Sequence, residues 1–325
     1  MSQTTYSNPR LFLANKEILD FSSITYKNKG NNKVSTLSVK INDPEIDDSA
    51  LLGKEIVFYL NEGCRDSVPF FRGFVRQYTP SDKDLSITAH DVLSFLAGAE
   101  SPPLTLSDHE NYDGYTLGQM LFDYINTNVN KTKTIIGLDM LNDSDPPITM
   151  TGFRKENITP LKVVQELLKP NESDLTDIKN TRLVVRDDGV KSNICFVQEQ
   201  DKDSAGAKFS FNDGIESVSY KKRRSPNFYT TQVDNNQMTY QHNSLPTGIV
   251  MGNLKGDFKY PDQARQQAFI DATASEDKKE ISIKTNKGHY LEIGNVINVQ
   301  TSEHPELTGK HRIVSKVIGV GSKTS

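Results

Sequence analysis

The sequence predicts a mainly β protein with an α+β insertion: two β-barrel domains flanking a small α+β domain. Three observations carry this. Short runs of alternating apolar and polar residues recur near both ends of the chain, as in Thr36-Leu37-Ser38-Val39-Lys40-Ile41, which is the two-residue period of a half-buried strand. Helical periodicity is confined to brief stretches at 91–96, 117–126, 159–168 and 262–273. The third observation is an internal echo. Leu52-Gly53-Lys54-Glu55-Ile56-Val57-Phe58 leads through a polar loop to Phe71-Arg72-Gly73-Phe74-Val75-Arg76. Ile293-Gly294-Asn295-Val296-Ile297-Asn298-Val299 leads likewise to Leu307-Thr308-Gly309-Lys310-His311-Arg312-Ile313-Val314. In each, an apolar residue and a glycine open an alternating strand, and a second glycine stands beside the next. Such a repeat suggests a chain that builds rings rather than one that performs chemistry.

The elements follow in order. In residues 1–98, the first barrel, Leu11-Phe12-Leu13 and Ile18-Leu19 flank a turn at Asn15-Lys16. Ile24-Thr25-Tyr26 leads to a turn at Lys29-Gly30-Asn31-Asn32, and Thr36–Ile41 is closed by Asp43-Pro44. The strand pair 56–60 and 70–76 comes next, then Leu85–Ala89, which runs into a helical turn from Asp91 to Leu96 stopped by Gly98. Residues 99–205 form the α+β domain after the break at Ser101-Pro102-Pro103. Thr116 caps a helix over 117–126 with Leu117, Met120, Leu121 and Tyr124 on one face. Thr159-Pro160 supplies a cap and a first-turn proline to a second helix, with Leu161, Val164, Leu167 and Leu168 inward and Pro170 as its stop. Arg182–Val185 and Ile194–Val197, joined through Asp187-Asp188-Gly189, read as a hairpin.

Gln198–Lys208 is polar and charged and reads as a linker into residues 206–325, the second barrel with an inserted helix. There Ile215–Tyr220 and Asn227–Val233 are strands around a basic turn, Lys221-Lys222-Arg223-Arg224. The helix runs from Asp262 to Thr273, with Ala264, Ala268, Phe269 and Ala272 inward. Ile281–Ile283, Tyr290–Ile293, Val296–Val299 and Arg312–Val317 complete the strands.

At 325 residues the chain has room for two or three domains. Hydrophobic residues make up 35% and charged residues 25%, and the mean hydropathy is -0.55, which predicts a soluble protein with several thin cores. No apolar run reaches the length of a membrane helix. The start Met1–Tyr6 lacks the basic and apolar segments of a signal peptide, so synthesis in a cytoplasm is expected. A net charge of -4 argues against a surface that clings everywhere to nucleic acid.

Chemistry-bearing patterns are absent from the sequence. Cys64 and Cys195 lie in different predicted domains and make neither a disulfide framework nor a zinc set, and Cys195 in Ile194-Cys195-Phe196-Val197 reads as a buried thiol. The sequons at Asn130, Asn142, Asn157 and Asn171 reflect richness in asparagine. His90, His109, His242, His289, His304 and His311 show no metal-ligand spacing, and His90-Asp91, between a strand and a helical turn, suits capping and packing. The acidic clusters Asp43, Glu45, Asp47 and Asp48, and Asp143 with Asp145, lack the calcium-loop pattern and read as solvated loops. Gly319-Val320-Gly321-Ser322-Lys323-Thr324 has the wrong glycine spacing for a phosphate loop and reads as a tail. No catalytic, cofactor-binding or metal-binding residue is predicted, and no cofactor. The basic run Lys221–Arg224 is the one place for a phosphate contact.

The order of parts resembles the phage baseplate hub proteins of the late-control and tail-hub superfamily. Leu52-Gly53-Lys54-Glu55-Ile56 and Phe71-Arg72-Gly73-Phe74-Val75 are similar to the "G-x-V" and "F-x-G-x-V" strands of its N-terminal part. Ala89, Asp91, Leu93 and Leu96 fit its "A-x-D-x-L-x-x-L" ending. Ile215–Tyr220 through Asn227-Phe228-Tyr229 resembles the re-entry into a second barrel. Ile293-Gly294-Asn295-Val296-Ile297-Asn298-Val299 resembles the closing "P-G-x-x-V-x-V" strand, with Glu292-Ile293 in place of the proline. The resemblance implies two tail-tube-like barrels per chain and a homotrimer of pseudo-six-fold symmetry. That ring would join a hexameric tail tube to a trimeric central spike, with baseplate wedge and tape-measure proteins as further partners. It implies a virion protein assembled in the host cytoplasm, not an enzyme, with DNA passing through the lumen unbound and no membrane insertion. The alternatives are a hexameric distal-tail or tube-completion protein, a tail-associated cell-wall hydrolase, and a nucleic-acid-binding module using Lys221–Arg224.

Overall fold

A computed structural model of the chain describes residues 9–30, 32–42, 51–60, 68–98, 104–106, 112, 114–129, 136–139, 150, 155–168, 181–198, 207–210, 214–222, 228–233, 236–241, 251–254, 261–262, 264–268, 279–285, 290–302 and 304–321. The strands are β1 (Arg10–Leu13), β2 (Lys16–Ile18), β3 (Phe21–Asn28), β4 (Thr36–Ile41), β5 (Glu55–Tyr59), β6 (Phe71–Pro80), β7 (Leu85–His90), β8 (Leu104–Leu106), β9 (Ile136–Asp139), β10 (Lys155–Ile158), β11 (Thr181–Asp187), β12 (Ser192–Gln198), β13 (Ala207–Ser210), β14 (Ile215–Lys222), β15 (Phe228–Val233), β16 (Asn236–Gln241), β17 (Met251–Asn253), β18 (Lys279–Thr285), β19 (Val296–Gln300), β20 (Gly309–Arg312) and β21 (Lys316–Val320). The helices are α1 (Leu93–Leu96), α2 (Leu117–Tyr124) and α3 (Pro160–Leu167). The fold is mainly β, as the alternation predicts.

The chain divides into two compact units. The first comprises Met1–Lys208, Gly288–Gln300 and Thr308–Ser325, and the second Phe209–Lys287 with Thr301–Leu307. In the first unit an antiparallel sheet runs β2-β1-β5-β6-β7-β4-β3-β21. Its inner face follows the alternation: Leu37, Val39 and Ile41 of β4 are buried while Thr36, Ser38 and Lys40 are not. Leu11, Phe21, Ile24, Ile56, Phe58 and Ile87 are among the other residues of that core. The turn joining β1 to β2 is Ala14-Asn15, one residue earlier than expected. Both residues have positive φ, 49° and 67°, so this is the two-residue left-handed turn that matches strand twist.

A second core lies around the helices. Thr116 caps α2 with a reciprocal bond to Gln119, and the Thr159 hydroxyl accepts from the Lys162 N–H at the start of α3. The helix expected over 117–126 ends at Tyr124 and continues as a π-helical turn, Ile125–Val129. Leu117, Met120, Leu121, Tyr124, Leu161 and Val164 pack with Leu183, Ile194 and Phe196 of the β11–β12 hairpin. Phe74 of β6 joins this cluster edge-on to Phe95 of α1 at 5.2 Å.

In the second unit, β14 pairs with β18, and β15 pairs with β16 and β17. Of the basic run expected as a turn, Lys221 and Lys222 belong to β14, while Arg223 and Arg224 lie outside the described residues. Pro261, Asp262 and 264–268 are helical, with Ala264 and Ala268 buried. Tyr290–Ile293, expected as a strand, is the turn that leads into β19, and Arg312–Val317, expected as one strand, divides between β20 and β21. Gly319 and Val320, expected in a tail, are part of β21, which pairs with β3.

Candidate functional site

The internal echo is reproduced bond for bond. In the first copy the Lys54 N–H donates to Leu51 O at 3.0 Å, closing a turn with Gly53 at φ 74°. The Gly53 N–H then donates to Val75 O, and the Val75 N–H to Lys54 O, both at 2.9 Å. In the second, the Asn295 N–H donates to Glu292 O at 3.2 Å around Gly294 at φ 89°. Gly294 N–H donates to Ile313 O at 2.8 Å and Ile313 N–H to Asn295 O at 2.9 Å. The hairpins behind the turns share a register, Glu55↔Phe74 to Phe58↔Phe71 and Val296↔Arg312 to Val299↔Gly309. The first glycines are equivalent for a physical reason, since the turn needs positive φ at that position. The second glycines are not. Gly73 aligns with His311, and Gly309 with Phe71. A Cβ on Gly73 would stand 2.3 Å from His90 O, whereas Gly309 faces open space.

Both hairpins dock on the β11–β12 hairpin. From the first, Arg72 sends Nε to Asp187 Oδ2 at 2.6 Å and Nη1 to Glu55 Oε1 at 2.9 Å, and Nη2 bonds Gly189 O at 3.2 Å. Its side chain is 9% exposed. Burial works against the guanidinium charge, and the two carboxylates overcome it, so its pKa is raised. From the second, Glu292 pairs with Arg186 at 3.0 Å, and Arg182 lies flat on Gly294, its Nε 2.7 Å from where a Cβ would stand. A cleft of about 500 Å³ opens between β3, β11 and the 290–293 turn. At its rim Lys316 donates to Leu291 O at 2.7 Å and lies over the Phe70 ring. Burial pushes its amine down to about 8, with Glu292 acting in the opposite sense.

Asp91 sits on the cleft floor, 3% exposed. Its oxygens accept from the Ser35 N–H at 2.9 Å and the Leu93 N–H at 3.1 Å, tying the start of β4 to α1. Burial pushes its carboxyl up to about 6, against the pull of those bonds. Of the capping and packing expected at this position, the geometry shows burial and a bond to the N–H two residues on, while the N-cap of α1 is Val92, with no side-chain cap bond. His90 ends β7, and its pKa is lowered by burial and by Arg76. His304 lies 3.4 Å from Glu306 and edge-on to Tyr220, and His311 is in β20. Cys195 is buried in β12 and Asn157 lies in β10. Cys64, His109, His242, His289, Asn130, Asn142, Asn171, Ser322–Thr324 and both acidic clusters lie outside the described residues. Among the described residues no three His, Cys, Asp or Glu gather as a metal site, and no helix is long and apolar enough to cross a membrane. Sequence reasoning missed the Arg72–Asp187 lock. Its one local signal was an arginine centred in an apolar strand, since such a charge must find a partner when buried.

Solved structures with the same architecture are known. The 43 kDa tail protein of prophage MuSo2 from Shewanella oneidensis matches with a TM-score of 0.64 at 12% identity, over 96% of this chain and 92% of that one. The fold is that of phage tail proteins. A tail protein from Neisseria meningitidis MC58 matches with a TM-score of 0.59 at 12% identity, over 97% and 93%. The E. coli c3393 protein, a component of the type VI secretion system with structural similarity to the T4 phage tail proteins gp27 and gp5, matches with a TM-score of 0.53 at 10% identity, over 96% and 73%. No protein-family model matches the sequence, and no curated protein matches it.

Proposed function

We propose that this chain is a baseplate hub of a phage tail or related injection machine, three copies closing into a pseudo-six-fold ring between the tail tube and the central spike. The observation that carries this is the duplicated hairpin, whose turn, register and cross-strand bonds recur at 51–75 and 292–313. Two equivalent hairpins per chain in three chains give six positions, the number needed to meet a hexameric tube. The division into a barrel at 1–98, an α+β domain at 99–205 and a second barrel at 206–325 belongs to the same reading. The sheet also favours closure. Its seven pairings are all antiparallel, so its outer strands β2 and β21 run in opposite senses. Copies placed head to tail can then continue the ladder, and a heterologous contact closes when its rotation does.

The hub acts by assembly and not by catalysis, with no cofactor. Its partners are itself, the tail tube, the central spike, and the wedge and tape-measure proteins, and DNA passes its lumen without specific binding. It does not insert into membranes, and its place is the virion tail baseplate after assembly in the host cytoplasm. The native mass of the purified chain over a concentration series tests this. A trimer at three times 36.4 kDa is expected. A hexamer would replace the hub with a one-barrel tube-completion ring. A monomer at every concentration, with and without the spike, would sink the reading.

A further inference from the structure

The two equivalent turns differ at one side chain. Each carries a large aliphatic residue just before its left-handed glycine, Leu52 in the first and Ile293 in the second. Ile293 is 8% exposed, whereas Leu52 is 62% exposed. The cover on Ile293 is identifiable. Its Cγ2 would lie 3.3 Å from a Cβ placed on Gly30, in the turn between β3 and β4, and Val314 O, just past the second hairpin, would lie 2.3 Å from the same point. The contact is maintained by β21, which follows the second hairpin and pairs with β3 from Lys316↔Asn28 to Val320↔Ile24. The second turn is thus seated on a neighbouring part of the sheet, in a socket floored by a glycine. In the first copy the outgoing strand is already paired, Gln77–Pro80 with β7, and it is the turn's own side chain that is left in solvent.

We infer that Leu52 is the plug of the contact between copies of this chain: in the assembled ring it seats on a second copy, as Ile293 seats on Gly30 within one. This rests on the ring reading. In a closed ring of repeats each junction recurs at a fixed rotation, so junctions within chains alternate with junctions between them. The junction within the chain buries the aliphatic residue of its turn, and the equivalent residue of the other turn is uncovered in a single copy. Full burial of a leucine is among the larger apolar gains that one side chain can supply at an interface. The occupant is a second copy, because the contact being repeated is one that this chain already makes with itself.

Phe122 supplies the control. It is 48% exposed on α2, outside the sheet and its outer strands, and has no counterpart in the repeat. The experiment compares parent chain, Leu52→Arg, Leu52→Ala and Phe122→Arg by native mass over a concentration series, with circular dichroism to establish that each is folded. Leu52→Arg is expected to raise the concentration for half-assembly at least tenfold with an unchanged spectrum, Leu52→Ala to give an intermediate shift, and Phe122→Arg to assemble as the parent does. Assembly of folded Leu52→Arg at the parent's concentration overturns the plug and leaves the ring standing. Equal losses for Leu52→Arg and Phe122→Arg also overturn it, since added charge alone would then explain both. A parent that never assembles removes the ring reading itself, and the plug with it.

Discussion

Arg72→Met lowers the stability of the first unit by about 3 kcal/mol, as expected when one member of a buried ion pair is removed and the other is left behind. The guanidinium is 9% exposed and Asp187 is 6% exposed, so water cannot take the place of the lost partner. Asp187 keeps the Gly189 N–H at 2.8 Å and the Ser192 hydroxyl at 3.1 Å, which holds the loss below the upper end of the range for such deletions. Urea denaturation of parent and variant measures it. The double variant Arg72→Met with Asp187→Asn recovers part of the loss, because the stranded charge is gone. Lys40→Ala removes the exposed bridge to Asp84, with Lys40 47% exposed, and is expected to leave the urea midpoint nearly unchanged, since solvent screens such pairs. If Arg72→Met costs no more than Lys40→Ala, the buried lock is not what holds the first hairpin to β11–β12.

The second large effect depends on pH and has the opposite sign at neutrality. Folding raises the Asp91 carboxyl from its usual 3.8 to about 6, because burial penalises the charge more than the Ser35 and Leu93 N–H groups favour it. A carboxyl raised by folding contributes stability that is fully present below its unfolded value and is lost as pH rises through its folded value. The window is therefore about pH 4 to 6, and the loss is about 3 kcal/mol at 1.36 kcal/mol per unit. Asp91→Asn abolishes that dependence. Its carbonyl replaces one acceptor, and its amide faces the second N–H, which costs about 1 kcal/mol. Asn at this site is thus expected to be about 1 kcal/mol less stable than the parent at pH 3 and about 2 kcal/mol more stable at pH 7. Taking the difference between the two proteins at each pH cancels His90 and every other titrating group they share. A difference that stays flat between pH 4 and 7 would refute the buried charge.

The elements that were legible in the sequence are those whose cause is local. Thr116, and Thr159 with Pro160, fix two helix starts. Asp187-Asp188-Gly189 lies at the turn of β11–β12, and the alternation of Thr36–Ile41 fixes which side of β4 is buried. The first glycines of the echo were legible because a turn requires them, whereas the apparent match of Gly73 with Gly309 pairs a close strand crossing on His90 with a glycine that faces open space. β16 was missed because its alternation rests on only two residues, Met238 and Tyr240, between polar neighbours, and what defines it is the long-range register with β15. The Arg72–Asp187 bond spans 115 residues and the β3–β21 pairing far more, and no short-range pattern encodes either. The asymmetry between Leu52 and Ile293 is likewise invisible in two similar turns, because it arises from what lies opposite each.

The pairing of β21 with β3 also bears on the order in which the molecule can be built. Residues 24–28 wait for residues 316–320, and at 5–20 residues per second a ribosome takes roughly 15 to 60 s to deliver them. For that interval the β3 edge of a growing chain has no native partner, on polysomes where other nascent copies are close by. Loop closure over such a separation is slow as well. Completion of this sheet is therefore late relative to the synthesis of β3, and a chaperone has its greatest effect on yield at this edge.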